Sequence, residues 1–151
     1  MDPYFRGQKK MNKSWVEGYY ALYPFAGKIQ PCILQISEDN NVIPVPVDPE
    51  TVGQSIGWTD STRQRIYEGD FIEIIYHSGM IDRYLIWADI SGNCCSAVNL
   101  RGIKFNGTDY YNPANYLPWS DFYGIMLDPY KEIESVKIMG DIYNNPEIII
   151  I

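Results

Sequence analysis

The chain has 151 residues, of which 46% are hydrophobic, 15% aromatic and 21% charged, enough apolar sequence for one ordinary domain burying about two-thirds of its unfolded surface. Two large domains and general disorder are excluded. With 12 Lys plus Arg against 19 Asp plus Glu, the formal charge is −7, the wrong sign for non-specific attraction to a phosphate backbone.

The 12 Gly and 10 Pro are spread along the chain and leave no periodic apolar window as long as a normal helix, so strands are expected throughout. Residues 1–15 carry charge and glycine where a signal peptide needs an unbroken apolar core, and no later stretch has the ~18 apolar residues of a membrane span. A cytoplasmic protein with no membrane partner is expected. Trp15 to Tyr23 reads as a strand with Gly18 at a bulge or close approach. Cys32 to Ile36 reads as the next, closed by the turn formers Ser37 to Asn41. Val42 to Val47 contains Pro44 and Pro46 and therefore pairs on one side at most.

In Asp48-Pro49-Glu50-Thr51-Val52-Gly53 the spacing predicts a single-turn helix: Asp48 caps it, Pro49 fits its first position, Glu50 suits its positive end, and Gly53 exits with φ > 0. In Ile66-Tyr67-Glu68-Gly69-Asp70-Phe71 a Gly-Asp step feeds an apolar strand. There the glycine turns the chain and the carboxylate bonds nearby backbone N–H groups. Phe71 to Tyr76 is the strongest strand, and Ser78-Gly79 turns it into a hairpin with Asp82 to Trp87. Gly92-Asn93 marks a turn before a strand over Cys95 to Leu100, with breaks at Gly102 and Gly107. Asp109 to Tyr123 is an aromatic loop with room for one helical turn. Ser135 to Tyr143 is a late strand interrupted at Gly140, and Asn144-Asn145-Pro146 turns into Glu147 and four isoleucines.

The run Asp48-Pro49-Glu50-Thr51-Val52-Gly53-Gln54, then Gly57, Asp60 and Ile66-Tyr67-Glu68-Gly69-Asp70, resembles the YopX family of phage and prophage proteins. Phe5-Arg6-Gly7, Trp15-Val16-Glu17-Gly18-Tyr19 and Ile142-Tyr143-Asn144-Asn145-Pro146-Glu147 carry the same resemblance to both ends, while residues 78–134 align with no motif. Between Asp60 and Ile66 the family usually carries an Asn-Gly turn; Ser61-Thr62-Arg63-Gln64-Arg65 stands here instead, so a different turn is expected. The resemblance implies an all-β fold with small-barrel character, a viral or prophage setting and self-association. It brings no catalytic residues.

Candidate chemistry is thin. Glu68, Asp70 and Glu73 can form an acid/base pair or hard-metal cluster if they share a strand face, but turn and solvent-face duty is the favoured reading. His77, the single histidine, stands at a strand end without an orienting partner. Cys32, Cys94 and Cys95 have neither zinc-site spacing nor easy disulfide geometry, so reduced thiols in an ordinary strand are expected, without metal or cofactor. Arg6, Lys9, Lys10 and Lys13, against Asp2 alone, lie beside Tyr4, Phe5 and Trp15; basic and aromatic side chains together can hold single-stranded nucleic acid. A solvated lysine turn is the plainer account.

The expected molecule is an all-β single domain over 1–151, with one or two single-turn helices and a small SH3-like barrel around 42–90 elaborated by strands from both ends. Asp48, Pro49, Glu50, Gly53, Gly57, Tyr67, Glu68, Gly69 and Asp70 form its structural motif. The expected function is non-enzymatic: an accessory protein binding itself as a homo-oligomer and a host or phage protein. Nucleic-acid binding through Arg6, Lys9, Lys10, Lys13 and Trp15 is the alternative. Isoleucines 148–151, apolar on both strand faces, are expected to dock on a sheet edge, either of the same chain or of a neighbouring subunit, where they help assembly.

Overall fold

A computed structural model describes residues 3–88, 95–99, 116–117 and 132–145. Every regular element among them is a β-strand, and the chain divides into two compact units, Met1–Gly57 and Trp58–Ile151. The fold is all-β.

In the first unit, β1 (Phe5–Lys9), β2 (Trp15–Phe25), β3 (Lys28–Ile36) and β4 (Val42–Thr59) pair antiparallel in a closed cycle, because β4 returns to β1. The two long strands each change partner midway. β2 pairs with β1 from Trp15 to Gly18 and with β3 from Tyr19 to Phe25; β4 pairs with β3 from Val42 to Pro46 and with β1 from Val47 to Gln54. Gly18 occupies the first changeover, where a Cβ would collide with the Leu34 carbonyl oxygen; the close approach expected there is present. Pro44 and Pro46 face Leu34 and Cys32. An antiparallel ladder exchanges hydrogen bonds only at every second pair, so both rings can sit where their nitrogens point away from β3. Val16, Ile33 and Val47 form the buried centre, with Phe5, Val45 and Val52 packed around them, each full burial stabilising by about 1.5–3 kcal/mol.

The expected helical turn over Asp48–Gly53 is absent: β4 runs through it with a bulge. The register with β1 jumps between Arg6↔Gly53 and Gln8↔Asp48, so four residues loop out opposite Gly7. Asp48 does act locally as a cap, its Oδ1 accepting the Glu50 N–H at 3.1 Å. The Thr51 hydroxyl then donates to the Asp48 carbonyl at 2.7 Å and accepts the Gln8 N–H at 2.8 Å. Pairing with β1 overrides the helical preference, and Gly53 is not among the residues with positive φ.

In the second unit, the end of β4 and β5 (Arg65–Tyr67) form a hairpin around Asp60, followed by a sheet in the order β10-β6-β7-β8-β9. These strands are β6 (Asp70–Tyr76), β7 (Ile81–Ala88), β8 (Cys95–Asn99), β9 (Tyr116–Leu117) and β10 (Ile133–Asp141). The central strands are buried at consecutive positions, Phe71-Ile72 in β6 and Tyr84-Leu85-Ile86 in β7, as strands covered on both faces are. Gly79, at φ +86, turns β6 into β7 with Tyr76 and Met80 sharing a 2.9 Å backbone bond, as Ser78-Gly79 predicts. Gly140 interrupts β10 through a register shift against β6. The closed cycle of the first unit lies on residues 5–54, and the division at Gly57 falls inside the 42–90 stretch expected to hold a barrel. Cys94, most of the aromatic stretch 109–123 and isoleucines 148–151 lie outside the described residues.

Candidate functional site

The turn from β1 to β2 gathers three of the five predicted basic and aromatic residues. Lys9 N–H donates to the Ser14 carbonyl at 2.9 Å and Lys13 N–H to the Lys9 carbonyl at 3.0 Å, while Asn12 Oδ1 accepts both the N–H and the hydroxyl of Ser14. Lys13 takes φ +59 to close this turn. Lys9, Lys10 and Lys13 then line one hollow of about 190 Å³ together with Gln8 and Asp48. Lys10 Nζ reaches Gln30 Oε1 at 3.5 Å. Among the described residues neither Lys9 nor Lys13 is held in an ion pair.

Arg6 and Trp15 do not join them. Arg6 is only 7% exposed, and its guanidinium carbon lies 4.1 Å from the Trp15 ring centroid, a packed cation–π pair worth about 0.5–2 kcal/mol. One face of the indole is therefore occupied by Arg6. Sequence reasoning missed Gln8 and Asp48 as lining residues, since only the return of β4 to β1 brings Asp48 opposite Gln8.

The YopX-like block is a set of turns. Gly69 has φ +92, and a Cβ there would press to 3.0 Å from the Tyr143 ring. Its N–H donates to the Ile86 carbonyl and its carbonyl accepts the Ile142 N–H. Asp70 is buried with Oδ2 accepting the Tyr67 N–H at 2.8 Å, the carboxylate duty expected of the Gly-Asp step; Glu68 lies in the turn itself. Asp60 Oδ1 accepts from the Thr62 N–H, the Thr62 hydroxyl and the Gln64 N–H at 2.7–3.0 Å. Asp141 Oδ1 accepts from Tyr143 and Asn144 N–H in the same way. Gly57, at φ +82, donates its N–H to the Ser55 hydroxyl oxygen at 3.1 Å. Pro49 and Glu50 stand in the β4 bulge.

The described candidates for catalytic chemistry are Glu73, His77, Tyr76 and Cys32. Glu73 is paired with Arg83 at 3.1 Å, and His77 is exposed, with its backbone N–H on the Glu132 carbonyl. Burial, with Tyr84 and Asp82 alongside, pushes the Tyr76 phenol well up, away from the range useful to a base at neutral pH. Burial likewise pushes the Cys32 thiol up despite nearby Lys10, which makes it a poor nucleophile. Among the described residues no three His, Cys, Asp or Glu side chains come together as a metal site, and no helix is long and apolar enough to cross a membrane.

The β2–β3 hairpin offers another kind of surface. Leu22 is 66% and Ile29 71% exposed, and Tyr19, Tyr20, Phe25, Ile36, Val42 and Ile43 are exposed nearby. Tyr19, Ile36 and Ile43 help line a shallow hollow of about 480 Å³ with Tyr4 and Leu34. From Gly18 to Ile36 the single charged side chain is Lys28.

No curated protein and no solved structure matches the chain. A family model described as YopX protein matches residues 4–149, a span that takes in the lysine turn, the bulge at Asp48 and the turns at Asp60, Gly69 and Asp141. Over nearly its whole length, then, the chain belongs to the YopX family.

Proposed function

We propose that the protein is a non-enzymatic phage or prophage accessory protein of the host bacterial cytoplasm, acting by association with further copies of itself and with a host or phage protein. The observation that carries this reading is the β2–β3 hairpin, whose large apolar side chains stand in water with one charge among nineteen residues. Interface centres are depleted of charge and enriched in aromatics, and an exposed apolar patch of this kind is normally covered in an assembly. Replacing Leu22 and Ile29 with Asp removes the patch from the exposed arm without touching Val16, Ile33 or Val47. Light scattering should then give a smaller mass than the wild type; an unchanged assembly, or a monomeric wild type, refutes the self-association.

A second reading, single-stranded nucleic-acid binding, draws support from Lys9, Lys10 and Lys13 sharing one hollow. It loses Arg6 and Trp15, which satisfy each other. Binding of short single strands that weakens steeply with salt would favour it.

A further inference from the structure

The lysine hollow has a charge and a size that specify a ligand more closely than basicity alone. Three lysines and one aspartate line it, so the formal charge of its lining is +2 in a chain that carries −7. A phosphate monoester carries about −1.5 to −2 at pH 7, which neutralises the hollow; one phosphodiester unit does not, and a strand of them is repelled by Asp48 and by the acidic remainder of the chain. A volume of about 190 Å³ admits a phosphate and part of the group that carries it, and no aromatic ring lines it for base stacking. Asp48 has one carboxylate oxygen on the Glu50 N–H, leaving the other to accept a hydrogen bond. Lys13 supplies a further observation. A turn position at φ +59 suits Gly or Asn at lower conformational cost, yet the residue there is a lysine that lines the hollow.

We propose that the hollow between the β1–β2 turn and the β4 bulge binds a phosphate monoester on a small hydroxylated carrier, with Lys9, Lys10 and Lys13 on the phosphate oxygens and Asp48 accepting from a carrier hydroxyl. Gln8, buried at the base of the turn, holds Asp48 in place through Thr51. The proposal stands whether or not the protein self-associates.

The test is amide-detected NMR titration of the full chain with three probes: inorganic phosphate, a nucleoside 5′-monophosphate, and a short single-stranded oligonucleotide with hydroxyl groups at both ends. The monophosphate should shift the amides of residues 8–14 and 48–51 saturably, more tightly than inorganic phosphate, and more weakly as the pH falls below about 6, where the monoester loses its second charge. Lys13→Gly separates site from fold, because it removes the ammonium while relieving the backbone. Its melting temperature should hold or rise while affinity drops about tenfold, the loss expected for one charge-assisted hydrogen bond. Lys9→Gln should lower affinity similarly. Absence of a saturable shift with the monophosphate, equal affinity in Lys13→Gly, or an oligonucleotide binding the same amides at least as tightly would overturn the proposal.

Discussion

Arg63 stands with φ +70 in the turn after Asp60. Its N–H donates to the Asp60 carbonyl and the Asp60 N–H to the Gln64 carbonyl, which closes the turn. A left-handed L-residue costs about 1–2 kcal/mol, and glycine gives part of that back through the unfolded chain. Arg63→Gly should therefore stabilise by roughly 0.5 kcal/mol, read as a small rise in melting temperature; a fall would show that the Arg63 side chain carries more than its backbone costs. Asp60 beside it illustrates how a buried acid is tamed. Burial pushes its carboxyl up, but the Thr62 hydroxyl and the N–H groups of Gln64, Thr62 and Ile138 outweigh this and hold it below the ordinary range. A depressed folded-state pKa contributes stability that is complete above the unfolded value near 3.8 and lost as the pH falls through the lower folded value. Urea midpoints should drop on acidification into that window in the wild type. Asp60→Asn should be less stable at pH 7 and show a smaller acid drop; an equal drop would place the acid sensitivity elsewhere.

Among the elements, β2 shows most plainly how one residue permits a topology. At Gly18 the strand leaves β1 for β3 with the Leu34 carbonyl against its Cα, and Gly18→Ala must push backbone against backbone. A loss of about 2–4 kcal/mol is expected, in the range of severe core changes, measurable by denaturant titration; a change under about 0.5 kcal/mol would mean that β3 yields. Gly18 was legible in the sequence, because a glycine inside an apolar strand has few other reasons to be there. β6 was legible too, from its unbroken β-branched and aromatic run. The Asp48 bulge was not. Asp-Pro-Glu at a helix start and Asp-Pro-Glu in a bulge share the same local bond, the aspartate oxygen on an N–H two residues on, and the choice between them is made by Gln8, which the local window does not contain. For the same reason Lys9, Lys10 and Lys13 could be seen as a cluster in the sequence, whereas the burial of Arg6 under Trp15 depends on tertiary packing.

At the scale of the whole molecule, the −7 charge and the apolar hairpin, with Lys28 its single charge, make opposite demands. Copies meeting through the hairpin bring like charges together, and salt screens that repulsion with a Debye length of about 10 Å at 0.1 M. The assembled mass should therefore hold or increase between low and moderate salt. Dissociation on adding salt would mean that charge, rather than apolar contact, holds the copies. Nucleic-acid binding would respond in the other direction, so one salt series separates the two readings.

The closed strand cycle of the first unit also governs the order in which it can form. β2 and β3 meet across the two-residue turn Ala26-Gly27, both at positive φ, and can zip early with little loop entropy. The contact between Gln8 and Thr51 spans 43 positions and must wait for the ends of the unit to find each other. Ring closure through the β4 bulge is then the slow event of folding. On this order the apolar hairpin is built and uncovered first, so a nascent chain exposes its apolar face before its own first unit is complete. Thr51→Val, which breaks the closing bond and spares the hairpin, should slow refolding in stopped-flow measurements if that bond is made at the barrier, and should speed unfolding alone if it is made afterwards.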